Sequence, residues 1–143
     1  MAIFRTRRWL LAAALLASGC AQLSAPPYAA DYEALDRLEA TRPGMVAVAR
    51  VQPTDPDDKV NSVSLRRARL LSPSGSFARY LEDALVRDLG EIAAYNAKAP
   101  TRIAARILVN EHDLGVINGN GRMEVEIVVT RAATQRLRKT YRG

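Results

Sequence analysis

The sequence contains one cysteine, Cys20, and one histidine, His112, and these are its best candidates for nucleophilic or metal-binding chemistry. His112 stands between Glu111 and Asp113, and a histidine beside carboxylates can act as a general base or a metal ligand. A single histidine supplies neither an HExxH helix nor a Ser/His/Asp set in a recognisable motif. Glu111, His112 and Asp113 are also typical of the polar end of a strand before a turn, so a hydrolase centred on His112 is our least favoured hypothesis. We predict no catalytic residue, metal or cofactor.

Cys20 closes an N-terminal segment that has the layout of an export signal. Residues 1–8 contain three arginines and no acid, and residues 9–17 (WLLAAALLA) form an apolar run. That run is far shorter than the roughly 20 residues that span a bilayer, but it suits the apolar region of a signal peptide. Two small residues precede the cysteine. We therefore predict that residues 1–19 are a signal peptide cleaved before Cys20.

Leu16-Ala17-Ser18-Gly19-Cys20 resembles the lipobox of bacterial lipoproteins, Leu-(Ala/Ser)-(Gly/Ala)-Cys, with the leucine one place early. The resemblance implies a diacylglyceryl group on the Cys20 sulfur and an acyl group on its new amino end. Several acyl chains, each contributing about 0.8 kcal/mol per buried CH₂, anchor a protein stably. Because Ala21 rather than Asp follows, the family's sorting rule implies the periplasmic face of the outer membrane. An ordinary signal peptide, or a twin-arginine signal over residues 6–11, remains an alternative.

The remaining binding candidates are basic residues in two clusters. These are Arg66, Arg67 and Arg69, and Arg136, Arg138, Lys139 and Arg142. Without residues 1–19 the chain keeps 18 Lys or Arg against 15 Asp or Glu, so its formal charge falls from +6 to about +3. Solvent-facing strand positions explain both clusters. The alternative is contact with lipid headgroups, lipopolysaccharide phosphates or an acidic partner; nucleic acid is not expected, because no aromatic stacking platform accompanies the arginines.

Two segments have the composition of ligand-binding loops but lack the residue spacing that such loops need. Residues 115–121 (GVINGNG) are glycine-rich, but a phosphate loop needs GxxxxGK[ST] between a strand and a helix. Here strands are predicted on both sides, so we expect a hairpin turn at Asn118–Gly121. Asp55, Asp57 and Asp58 lack the twelve-residue pattern of a calcium-binding EF-hand, and we expect a solvated loop.

Hydrophobic periodicity predicts one α+β domain over residues 31–143. We expect a flexible tether over 20–30, helices over 31–41 and 76–92, strands over 45–51, 101–116, 122–129 and 136–142, a turn at 132–135, and a strand or irregular arm over 60–71. The order predicts an antiparallel or mixed sheet of four or five strands, with the long amphipathic helix on one face. Strand 122–129 alternates, so its second face should be largely wet. The last strand has an open edge, which we expect a further C-terminal segment or a partner to cover.

Three segments, 61–65 (NSVSL), 72–77 (SPSGSF) and 80–85 (YLEDAL), resemble a group of uncharacterised proteobacterial lipoproteins. The group combines a Ser-Pro-x-Gly-Ser turn with a Tyr-Leu-x-x-Ala-Leu helix, and the resemblance covers about half the chain. It extends distantly to small α+β envelope lipoproteins, such as the lipopolysaccharide-assembly lipoprotein and auxiliary lipoproteins of lipid-transport ABC systems. It implies a non-enzymatic accessory or scaffold with an envelope protein partner. A binding module for lipid, lipopolysaccharide or peptidoglycan is the alternative.

Overall fold

A computed structural model describes residues 21–66, 68–114 and 119–143. Its elements are β1 (Ala21–Ser24), α1 (Tyr32–Ala40), β2 (Val46–Val48), β3 (Ser62–Leu65), β4 (Ala68–Leu71), α2 (Phe77–Glu91), β5 (Thr101–Leu114), β6 (Gly119–Arg131) and β7 (Thr134–Arg142). The α+β class and the two helices are confirmed. The single sheet is wrong: the strands form a three-stranded sheet in the order β1-β4-β3 and a four-stranded sheet in the order β2-β5-β6-β7. Both sheets are mixed.

Both helices begin at side chains that cap free backbone N–H groups. Asp31 accepts a hydrogen bond from the backbone N–H of Ala34, and Ser76 accepts one from the N–H of Arg79. Such caps satisfy donors that have no partner inside the helix. Gly75, directly before Ser76, adopts a φ of 86°, which glycine tolerates without a steric penalty. The turn therefore sets where α2 starts.

The main core lies between α2 and the β5–β6 part of the four-stranded sheet. Ala105 and Ile107 of β5 are buried with Ala78 of α2. Partly buried side chains of α2 and β6 pack against them, namely Phe77, Leu81, Leu85, Met123, Val125 and Ile127. This is the face that the alternation of β6 and the stripe of α2 predict. A second cluster forms around Val46 and Leu89 and joins β2 to the end of α2.

Residues 21–30 do not form the free tether that we expected. Residues 21–24 pair with β4, and Ala25 N donates a hydrogen bond to Leu71 O. The Tyr28 hydroxyl donates to the Asp88 carboxylate at 2.7 Å, and the Tyr28 ring meets the Tyr80 ring edge to face. A segment without local structure of its own can add to a sheet edge as readily as it can span a gap.

The glycine-rich turn also differs from its prediction. Gly119 and Gly121 lie in β6, opposite Leu114 and His112 of β5, so they are strand residues. Residues 115–118, which include Asn118, lie outside the described residues. The predicted turn at 132–135 is confirmed in a tighter form, because β6 and β7 are joined by Ala132 and Ala133 alone.

Candidate functional site

The first candidate site is the end of the three-stranded sheet that adjoins Cys20. Cys20 and Arg67 lie outside the described residues, but each is covalently next to a described strand. The Cα atoms of Ala21 and Ala68 are partners in the parallel pairing of β1 with β4. The chain therefore enters both strands at the same end of the sheet. Leu65 is the Cα partner of Ala68, so Arg66, in the turn after β3, lies at the same end as Ala21.

The first basic cluster is divided between this turn and one face of the sheet. Arg66 is exposed and takes part in an interaction within the structure. Arg69 lies opposite Ser64 and Gln22, so these three polar side chains share a face. The Arg69 guanidinium donates to Ser62 Oγ at 2.7 Å. That bond holds the Arg69 side chain over β3 and limits its reach toward an external anion.

The second basic cluster is on the other sheet, along β7. Arg138 pairs with Glu126 of β6 at 3.3 Å, and Arg142 pairs with Glu124 at 3.2 Å. Arg136 sits at an irregularity of the register and has no Cα partner on β6, since Leu137 pairs with Val129 and Gln135 with Thr130. The two clusters therefore belong to separate sheets.

The pairing register reveals basic residues that the sequence analysis missed. Directly opposite residues share a face, which places Arg102 and Arg106 of β5 on the same face of the four-stranded sheet as Glu126 and Arg138. Both β5 arginines are exposed. Their spacing of four residues was visible in the sequence, but isolated arginines in an apolar strand do not form a cluster until the strands are aligned.

We predicted that the face of β6 that includes Glu124 is exposed to solvent, but Glu124 is only 7% exposed. Arg122 donates to its carboxylate at 2.5 Å, and Arg142 lies 3.2 Å from the same oxygen. The hydrogen bond from Arg122, with support from the charge of Arg142, holds the pKa of Glu124 below its ordinary value despite its burial. Two arginine side chains therefore cover this carboxylate, and the prediction of a wet face is wrong at this position.

His112 lines an open cleft of about 310 Å³ between β5 and β3. Other polar residues of its lining are Lys59, Ser62, Ser64, Asn110 and Glu111. His112 Nδ1 lies 2.9 Å from the backbone oxygen of Asn120, and Ser62 Oγ already accepts from Arg69. The cleft thus brings a histidine and two serines together, but the contacts of His112 and Ser62 are directed to other groups.

Among the described residues, no group of three or more His, Cys, Asp or Glu side chains is arranged to hold a metal ion. Within residues 21–66, 68–114 and 119–143, no helix is long and apolar enough to cross a bilayer. Comparison of the chain with family models, curated proteins and solved structures finds no match.

Proposed function

We propose that this protein is a lipid-anchored lipoprotein of the outer membrane that serves as a non-enzymatic accessory or scaffold in envelope assembly or transport. The observation that carries the proposal is the start of β1 at Ala21, directly after the predicted lipidation site. A lipidated Cys20 would have no free linker between its acyl chains and the folded domain. The anchor would then hold one end of the three-stranded sheet against the membrane surface.

This close attachment favours a scaffold over a freely reaching binding protein. Ala25 bonds to β4, and Tyr80 donates from its hydroxyl to the Pro26 oxygen. Because the segment after the anchor is fixed at several points, the domain would keep one orientation relative to the bilayer. The four-stranded sheet would then face the periplasm or a neighbouring protein in a defined way. The resemblance to envelope lipoproteins over residues 61–85 supports the same role.

Lipid labelling of the full precursor beside Cys20→Ala tests the anchor. We expect the wild-type chain to incorporate labelled fatty acid and fractionate with the outer membrane, and Cys20→Ala to do neither. Ala21→Asp is the matched variant: it should stay labelled but move to the inner membrane, as the sorting rule of the lipoprotein family implies. An unlabelled, soluble wild-type chain would refute the anchor and leave a secreted α+β domain.

A second candidate function is binding of phosphate groups at the membrane surface, and the position of the Arg66–Arg67 turn favours it. That turn adjoins the strand that follows Cys20, so anchoring would bring its cations to the headgroups. Each cation near an anionic leaflet contributes about 1 kcal/mol, an attraction that salt screens.

Vesicle binding of the full chain carrying Cys20→Ala tests this second function. Changing Arg66, Arg67 and Arg69 to Ala should weaken salt-sensitive binding to phosphatidylglycerol vesicles at least tenfold. The matched control changes three exposed cations elsewhere, Arg42, Lys98 and Arg131, to Ala. Equal losses in the two triple variants would show that only net charge matters and would exclude a site at the turn.

A further inference from the structure

We propose that β7 binds an acidic, extended polypeptide segment, which joins the four-stranded sheet as a fifth strand. This proposal rests on the accessory role and specifies the kind of partner that such a role requires. Its binding test does not depend on lipidation of Cys20. β7 is the last strand in the order β2-β5-β6-β7, and all nine of its residues are exposed. Edge strands of this kind are templates for strand addition.

The hydrogen-bond alternation shows which backbone groups of β7 point outward. Gly143 N donates to Met123 O, and Met123 N donates to Gly143 O, at 3.0 and 2.9 Å. This reciprocal pair is hydrogen-bonded, so in an antiparallel ladder the next pair, Glu124 with Arg142, is not. The alternation continues along the strand and directs the N–H and C=O groups of Arg142, Thr140 and Arg138 to the open edge. Three alternate residues of β7 therefore offer free backbone groups to a partner strand.

On the helix side of the sheet, β7 places Leu137, Lys139 and Tyr141 in one row, and the domain does not cover the two apolar side chains of this row. Leu137 is 45% and Tyr141 46% exposed, opposite Val129 and Val125 of β6. α2 packs over β5 and β6, and its core contacts do not extend to β7. A fifth strand would continue this row and bury part of it. This observation predicts that alternate residues of the partner are apolar.

The charges of β7 select an acidic partner over a second copy of this chain. The strand holds Arg136, Arg138, Lys139 and Arg142 and no acid. Two β7 strands paired edge to edge would bring like charges together, which is destabilising. Among the described residues Arg136 and Lys139 form no ion pair, and the Lys139 ammonium lies 4.9 Å from the centre of the Tyr141 ring. The domain leaves these two positive charges without a carboxylate, so both attract an acidic strand, although Lys139 lies on the helix side between Leu137 and Tyr141.

Amide exchange with a defined probe tests the proposal. The purified full chain, in nonionic detergent, is mixed with a nine-residue peptide of alternating Glu and Val, and separately with its Lys and Val counterpart. We expect the Glu peptide to slow exchange at Arg138, Thr140 and Arg142 at least tenfold. Lys139 and Tyr141, whose N–H groups already face β6, should change little. General protection without this alternation, or equal effects of both peptides, would overturn the proposal.

Thr140→Pro gives the decisive variant, because it removes an outward N–H that bonds to nothing in the sheet. We expect peptide binding to weaken at least tenfold, while Thr140→Val binds as wild type. Arg136→Glu with Lys139→Glu supplies a second measurement that leaves the backbone intact and should shift preference to the Lys peptide. Unchanged binding in both variants would refute strand addition, as would protection of the same amides by self-association without peptide. Fatty-acid labelling at Cys20 stays the separate test of the anchor.

Discussion

β5 and β7 both pair with β6, yet β5 contributes to the buried core and β7 lies fully exposed. Ala105 and Ile107 of β5 are buried beneath α2, whereas every residue of β7 is exposed. The sequences explain the difference: the helix-side row of β5 is Ile103, Ala105 and Ile107, while that of β7 includes a lysine. β5 therefore contributes stability, and β7 leaves a sheet edge and two half-exposed apolar side chains, Leu137 and Tyr141, available for binding.

Truncation of one large aliphatic residue in each strand should separate the two regions most strongly. Ile107 is 3% exposed and lies in the main core, so Ile107→Ala should lower the free energy of unfolding by about 3 kcal/mol. Leu137→Ala, the matched change on β7, should cost less than about 0.5 kcal/mol because its site is already half in water. Urea unfolding measures both. Similar losses would mean that β7 is packed as tightly as β5.

A buried polar side chain, Asn61, also stabilises the covered region, by which we mean α2 and the strands that it packs on. Asn61 is 1% exposed; its Nδ2 donates to the Pro53 and Asp55 oxygens, and its Oδ1 accepts from Ala78 N. The side chain thereby joins the loop before β3 to the first turn of α2.

Asn61→Ala should therefore destabilise the protein by about 2–3 kcal/mol, since it leaves the buried Ala78 N–H without its acceptor and removes two further hydrogen bonds to the loop before β3. Asn96→Ala is the matched control, because Asn96 is exposed and its side-chain oxygen accepts from the N–H of Lys98. Thermal unfolding gives the comparison. A loss no greater than that of the control would mean that water replaces these hydrogen bonds.

The covered region was more predictable from the sequence than the uncovered one. The apolar face of α2 and the alternation of Met123, Val125 and Ile127 depend on neighbours within a few residues. The pairing of β1 with β4 depends on residues 47 positions apart, from Ala21 to Ala68, and no local pattern reports it. Burial of Glu124 likewise required the register, because only the alignment of β6 with β7 brings Arg142 beside it.

The β6–β7 turn offers a way to stabilise the exposed hairpin without touching its binding edge. Ala132 and Ala133 have φ angles of 48° and 66°, the left-handed region that a two-residue hairpin turn of this kind requires. Non-glycine residues adopt it at a cost of about 1 kcal/mol each. Replacing the pair with Asn-Gly should therefore raise the free energy of unfolding by about 1–2 kcal/mol.

Denaturant unfolding of the Asn-Gly variant checks this increase, and Ala93→Gly provides a comparison at an isolated position of φ 53° after α2. The peptide affinity of β7 should stay unchanged, because the turn is remote from Thr140. A destabilised Asn-Gly variant would contradict the assigned turn geometry.

The smallest expected effect concerns the N-terminal segment. Tyr28 of this segment contacts Asp88 and Tyr80 of α2, and we expect the strength of that attachment to depend on pH. Burial, followed by the hydrogen bond to the Asp88 carboxylate, raises the pKa of Tyr28 from 10.0 to about 12. The folded protein therefore holds this phenolic proton more tightly than the unfolded chain does. The resulting stabilisation is complete below pH 10 and disappears as the pH rises through about 12.

Tyr28→Phe should lower stability at neutral pH by no more than about 1 kcal/mol and flatten the loss of stability above pH 10. Tyr32→Phe is the control, because Tyr32 is largely exposed. Absorption of tyrosinate at 295 nm, followed beside urea unfolding from pH 9 to 12, detects both effects. Titration of Tyr28 at its ordinary pKa of 10.0 would show that residues 25–28 are detached from α2 and belong with the exposed part of the domain.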